Sequence, residues 1–329
     1  MPDPVLIASL LGGLLLLFLG GDLLVRGAVR TARSMGASPL IAGIFIVGLG
    51  TSLPEIIVSV NAAFSGSPGL AVGNIVGSSI ANVFFVLAVP ALIFPMVAGG
   101  PGQGRALFAM LLATALWIGM TAVLPLSPLM GVCFLLVLIG YTGLSLFSAA
   151  RDAAAGKPTG VREPGGAGPP LWRALIYVPA GAAALVYASE LIVTGADGLA
   201  RHIRVPEEYI GLTLLAVGTS LPELGASLAA AFRKRGDVLV GNILGSNTIN
   251  ILGAGGLVAL AGPIPLARLF HAYDHWVMGF SALVLALFIL TRARIGRLTG
   301  LLLLLLYGAY LYGLLNGISL LGLYQLIRG

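Results

Sequence analysis

Gly50-Thr51-Ser52-Leu53-Pro54-Glu55 and Gly218-Thr219-Ser220-Leu221-Pro222-Glu223 are the same six residues, met twice in one chain of 329. Each copy lies inside an apolar stretch long enough to cross a bilayer, so each sets a carboxylate beside a helix-breaking proline at membrane depth. A charge near the bilayer centre costs roughly 2.5 to 3.5 kcal/mol even on the lenient insertion scale. Two carboxylates in matched settings therefore need a reason, and a bound cation is the simplest.

The rest of the chain agrees with a membrane setting. Hydrophobic residues make up 58% and charged residues only 9%, with a mean hydropathy of +1.03, too few charges to cover a soluble surface. Apolar runs of the length needed to span the hydrocarbon core fall at about 5–27, 39–64, 70–95, 105–124, 128–150, 173–197, 208–232, 238–262, 273–291 and 298–324. These predict an all-α integral membrane protein of ten transmembrane helices. The first run has no basic leader and no cleavage site, and is read as a helix of the mature protein. Cys133 is the sole cysteine, so an internal disulfide and a thiolate metal cluster are excluded.

Basic residues orient the chain. With the N-terminus outside, the inner segments carry Arg26, Arg30, Arg33, Arg105, Arg151, Lys157, Arg162, Arg173, Arg233, Lys234, Arg235, Arg292, Arg294 and Arg297. The outer ones carry only Arg201, Arg204, Arg268 and Arg328. This bias places both termini outside and the centre of the chain in the cytosol. The net charge of +6 is thus an orientation signal; it is spread over separate loops without aromatic platforms, which argues against nucleic acid as a partner. Membrane lipid is the surrounding medium, and no obligate protein partner is implied.

The polar, Gly/Pro/Ala-rich stretch at 151–172 reads as a flexible cytosolic linker. It separates a first five-helix repeat (1–150) from a second (173–329). A shift of 168 positions superimposes the two hexapeptides and aligns Asp22 with Glu190 and Gly43 with Gly211. It also aligns Gly73, Asn74, Gly77, Ser78 and Asn82 with Gly241, Asn242, Gly245, Ser246 and Asn250, without a gap. Five helices per half is an odd number, so the second copy enters the membrane from the opposite face. Inverted repeats with interrupted helices at matched places point to a site near the midplane.

Within each repeat, Pro54 or Pro222 removes an amide hydrogen, frees the carbonyl of Gly50 or Gly218, and is expected to kink the second or seventh helix. Thr51, Ser52 and Glu55, like Thr219, Ser220 and Glu223, share a helix face. Asn74, Ser78 and Asn82 are spaced four apart, as are Asn242, Ser246 and Asn250, giving a polar stripe on an apolar helix. Gly73, Gly77, Gly241 and Gly245 run beside these stripes and are expected to admit close neighbours. The stripes also suit ordinary interhelical hydrogen bonding, above all at Asn74 and Asn242. The donor set is all oxygen, with two negative charges, which suits calcium, sodium or magnesium and not zinc or copper. His202, His271 and His275 fall in predicted outer loops and read as solvated; Asp22 and Glu190 read as interfacial or loop-pairing residues.

The two hexapeptides, each followed by Gly-Asn-Ile-x-Gly-Ser (73–78 and 241–246), resemble the two alpha repeats of the sodium/calcium exchanger family, the prokaryotic type of the cation/calcium antiporters. The resemblance covers nearly the whole chain. It implies a ten-helix fold in which the second, third, seventh and eighth helices enclose the ion site while the first and sixth slide across it. It places metal ligands on Thr51, Ser52, Glu55, Ser78 and Asn82 and on Thr219, Ser220, Glu223 and Ser246, with main-chain oxygens of Gly48 and Ala216, and no cofactor. Asn250 also belongs to the set, but stands where many members carry an aspartate. Two carboxylates balance one calcium or two sodium ions and not three sodium ions.

The function implied is a secondary active antiporter that exchanges calcium for sodium by alternating access in the cell membrane; the alternative is a calcium/proton antiporter using the same glutamates. A passive channel suits inverted repeats with broken helices less well. An intramembrane hydrolase using Ser52 or Ser220 lacks a nearby base and would not need two equivalent copies, so the chain is not read as an enzyme.

Overall fold

The structure, a computed structural model, describes residues 4–155, 169–202, 217–265 and 273–315. Its described residues form ten helices: α1 (Pro4–Ser34), α2 (Pro39–Phe64), α3 (Pro68–Ile93), α4 (Gln103–Val123), α5 (Pro128–Ala154), α6 (Leu171–His202), α7 (Leu221–Phe232), α8 (236–259), α9 (His275–Leu290) and α10 (Arg297–Leu315). Seven of them, α1 to α6 and α10, are long and apolar enough to cross a bilayer on their own; α7 and α9 are shorter apolar helices. The expected seventh run begins at 208, and its part before residue 217 lies outside the described residues. An all-α membrane protein is what the apolar runs required, since a spanning segment in lipid must satisfy its own backbone hydrogen bonds.

Local sequence marks the helix starts. Ser38 caps α2 by accepting the Ile41 amide at 3.4 Å, with Pro39 in the first turn, where a missing N–H costs nothing. The same helix ends at Gly66, whose φ of +80° reverses the chain. Two contacts that were not anticipated tie the connections together: Met96–Val97 pairs antiparallel with Arg294–Ile295 at one end of the bundle, and Leu126 exchanges both backbone hydrogen bonds with Ile264 at the other.

Burial separates centre from periphery. In an apolar 18-residue window of α3 78% of the residues are buried, against 17% in those of α5 and α6, so α3 is central and the other two are peripheral. Every residue from Val238 to Thr248 of α8 is buried as well. At the periphery α1 and α6 lie antiparallel along a seam of small residues. Gly13 meets Ala188 and Ile192, Gly20 meets Gly181 and Ala184, and Gly27 meets Ala174 and Tyr177, which lets two backbones come close without interlocking side chains.

Three helices are interrupted by π-helical turns: Ala42–Val47 in α2, Asn82–Val86 in α3 and Ile249–Ala254 in α8. At Pro54, where a kink is expected, the α-helical pattern of Gly48–Phe64 continues through the proline, and a π-helical turn lies upstream of it. At Pro222 the expectation holds, since the helix starts afresh at Leu221 with the proline in its first turn. The freed Gly218 carbonyl accepts the Ser189 hydroxyl at 2.5 Å.

The glycine expectation holds at Gly241 and Gly245, where Cβ atoms would meet the backbone of Leu40 and Ile44 in α2; the matching neighbours of Gly73 and Gly77, 208 and 212, lie outside the described residues. The histidines need a correction too. His275 is buried at the start of α9 and is not a solvated loop residue; His202 is exposed, and His271 lies outside the described residues. Asp22 pairs with Arg26 at 2.7 Å and with Arg233, the loop-pairing role expected of it, while Glu190 is exposed.

Candidate cation site

Helices α2, α3, α7 and α8 meet at the centre, and each brings one part of the predicted oxygen set. Glu55 and Glu223 are 1% and 0% exposed, and their carboxyl groups are near enough to interact electrostatically. Residues 168 positions apart, one from each repeat, are thus buried near each other.

Ser52 donates to Glu223 Oε1 at 3.0 Å, crossing from the first repeat to the second. Thr51 donates to the Gly48 carbonyl at 3.4 Å and to Asn242 Oδ1 at 3.3 Å. The Gly48 carbonyl also receives the Ser246 hydroxyl at 3.5 Å. Ser78, Asn82, Ser220 and Asn250 are buried in the same set, and Thr219 is half-buried. Ala216 lies outside the described residues. Among the predicted ligands, then, every described one is at least partly buried, and cross-repeat bonds join Thr51, Ser52 and Gly48 of the first repeat to Asn242, Glu223 and Ser246 of the second.

Hydrogen bonding inside the protein does not use all of these oxygens. Glu55 Oε1 and Oε2, Ser78 Oγ, Asn82 Oδ1, Ser220 Oγ, Glu223 Oε2 and Asn250 Oδ1 are buried without a protein hydrogen-bond partner. Orphaned polar atoms in an interior cost about 1–3 kcal/mol each, and a cluster of acceptors carrying two carboxylates is matched by a dehydrated cation. The donor chemistry is that of a hard ion. Among the described residues no group of three or more His, Cys, Asp or Glu offers a softer alternative.

The interhelical hydrogen bonding expected of Asn74 and Asn242 is present, and sequence reasoning missed only its partners Ser59 and Ser227. Asn74 donates to the Glu55 carbonyl at 3.2 Å and to Ser59 Oγ at 2.9 Å; Asn242 repeats this with the Glu223 carbonyl at 3.3 Å and Ser227 Oγ at 3.1 Å. Ser59 and Ser227 are themselves 168 positions apart, so the repeat register contained the signal. These bonds pin each glutamate's helix to its asparagine's helix. Asn74→Leu and Asn242→Leu are each expected to lower stability by about 1–3 kcal/mol, because a buried carbonyl and hydroxyl lose their donor; thermal unfolding of the purified protein checks this.

Fold and site together define a multi-pass membrane protein with two matched, buried carboxylates at its centre. The sequence profile of the family described as "Sodium/calcium exchanger protein" matches residues 5–147 and again 173–316, one match per half. The sodium/calcium exchanger MaX1 of Methanosarcina acetivorans is 30% identical over 341 aligned positions, covering 92% of this chain and 96% of its own. The inner membrane protein YrbG of Escherichia coli is 36% identical, covering 85% and 87%. A solved structure of the sodium-calcium exchanger NCX_Mj, soaked with zero Na+ and Ca2+, superimposes with a TM-score of 0.79 at 31% identity over 94% of this chain and 98% of that one. The chain belongs to the sodium/calcium exchanger family.

Proposed function

We propose that this protein is a secondary antiporter exchanging calcium for sodium at a single midplane site, by alternating access. The observation that carries the reading is the pair Glu55 and Glu223, both buried among unpaired oxygens and bridged through Ser52, one turn from Glu55, which donates to Glu223 Oε1. Calcium held by both carboxylates, or sodium ions shared between them and the hydroxyls of Thr51, Ser52, Thr219, Ser220, Ser78 and Ser246, satisfy the same charge, so the two loads compete. Asn82 and Asn250 add amide oxygens, and the Gly48 and Ala216 carbonyls complete the set.

Coupling follows from the cost of the empty site. Two unpaired carboxylates cannot be carried across the barrier between states without several kcal/mol of desolvation penalty, so only loaded forms exchange faces. The close small-residue seam holds α1 and α6 together, which suits movement of the two as one unit across the site.

The protein is placed in the cell membrane with both termini outside. In support, Arg26, Arg105, Arg233, Lys234 and Arg235 all border one cavity of about 1910 Å3 at a single end of the bundle, as the positive-inside rule requires of the cytosolic face. The five-helix repeats (1–150 and 173–329) and the cytosolic linker (151–172) follow from the same topology.

Vesicles containing the purified protein test this directly. Calcium uptake is expected under an imposed sodium gradient and not under a pH gradient; the reverse result means proton coupling. With two carboxylates and the neutral Asn250, one calcium is expected to exchange for two sodium ions, moving no net charge. Clamping the membrane at 0 or 100 mV should then leave the rate unchanged, since only net charge feels the roughly 2.3 kcal/mol per 100 mV.

A further inference from the structure

Asn247 is not a repeat residue. The shift of 168 pairs it with Ser79, whose hydroxyl simply folds back on the Ile75 carbonyl at 2.8 Å. Asn247 instead reaches between the halves: its amide nitrogen donates to the Ser79 carbonyl at 3.2 Å and lies 3.8 Å from the Met110 sulfur, and its oxygen accepts from Asn82 Nδ2 at 2.9 Å.

The direction of this chain of bonds is forced. A backbone carbonyl and a thioether sulfur can only accept, so the amide nitrogen of Asn247 must face them. Its oxygen must then face Asn82, which must answer with its own nitrogen. What remains is Asn82 Oδ1, buried and without a protein partner. Asn250, the repeat counterpart of Asn82, has no such brace, and both its Oδ1 and Nδ2 are buried without partners.

We propose that Asn247 is a positioning residue that locks the Asn82 carboxamide with its oxygen toward the cation, while Asn250 stays free to turn. The inference rests on the cation-site reading above. It makes the two halves of a pseudo-symmetric site chemically unequal: one amide is a committed ligand, the other an adaptable one.

The test is calcium-45 binding to the purified full-length chain in detergent, with thermal unfolding as the check on folding. Asn247→Ser copies the residue of the other repeat, removes the amide oxygen that accepts from Asn82 and leaves only a shorter hydroxyl, and is expected to weaken calcium binding about three- to tenfold, the range for losing one net hydrogen bond. Asn247→Leu, of similar size, should do the same. In an Asn82→Asp background, where both side-chain oxygens are equivalent and orientation no longer matters, the Asn247 substitutions should cost nothing. An equal loss in both backgrounds, or no loss in either, overturns the proposal and leaves Asn247 as a packing residue. The cation-site reading fails separately, if the unaltered chain binds no calcium or if Glu55→Gln binds it as well as the unaltered chain does.

Discussion

Glu55→Gln and Glu223→Gln are each expected to abolish calcium exchange while leaving a folded protein in the membrane. Glutamine keeps the size of the side chain and one of its oxygens, so packing among α2, α3, α7 and α8 is preserved. What is lost is one of two charges in a site screened from water, where removing one member of a buried charge interaction costs about 3–5 kcal/mol. That corresponds to a fall in calcium affinity of two to three orders of magnitude or more. At Glu223 the substitution also disturbs the carboxylate that receives the Ser52 hydroxyl.

The stability effect has the opposite sign. Both carboxylates are buried, and three of their four oxygens have no protein partner. Neutralising either one removes like-charge repulsion, so the calcium-free variants should unfold at the same temperature as the unaltered chain or a higher one. The thermal shift on adding calcium, which reports binding to the native state alone, should disappear. A retained shift, or retained sodium-driven calcium flux in vesicles, in either variant counts against the assignment.

Gly245→Val is expected to have the second largest effect, acting through the backbone. A Cβ at position 245 would run into the backbone of Ile44, with the Ile44 Cα at 2.7 Å. The same crossing brings Gly241 against the Leu40 carbonyl, Gly43 against the Val238 carbonyl, and Gly48 against the Ser246 amide. Two backbones cannot yield as flexible side chains do, so α2 and α8 must separate. Overpacking of this kind costs about 1–3 kcal/mol, occasionally more.

It also acts on the site, because Gly48 and Ser246, which meet at 3.5 Å, lie on this crossing. Yield of monodisperse protein, melting temperature and calcium affinity should therefore fall together. Gly119→Ala is the matched control: no described residue lies within 4 Å of a Cβ there, and exchanging a helical glycine for alanine favours the helix by up to about 1 kcal/mol. Equal tolerance of both substitutions would show that the close crossing is not needed.

Much of this was legible from composition and register. The spans are visible because lipid leaves a helix no other way to satisfy its backbone, and the candidate ligands because a hexapeptide containing an intramembrane carboxylate recurs at a fixed offset. Ser59 and Ser227 obeyed the same offset and were legible in principle. Residues that break the symmetry were not. Asn247 has a serine opposite it in the other repeat, and His275 looked like a loop residue until α9 was seen to bury it. The irregular turns escaped notice for a related reason. Proline marks where a hydrogen bond is missing, but the π turn in α2 falls upstream of Pro54 and carries no such residue signal.

By itself the chain of letters determined that this is a helical membrane protein, that it is built twice over, and that each copy brings one acid to membrane depth. Those are consequences of solvent and of covalent pattern, which act locally on each segment. Tertiary structure alone decided that the two acids meet, which oxygens around them stay unpaired, and that one asparagine amide is braced while its twin is not. Such facts depend on which atoms of distant segments come within 3 Å of one another, and no local preference encodes that.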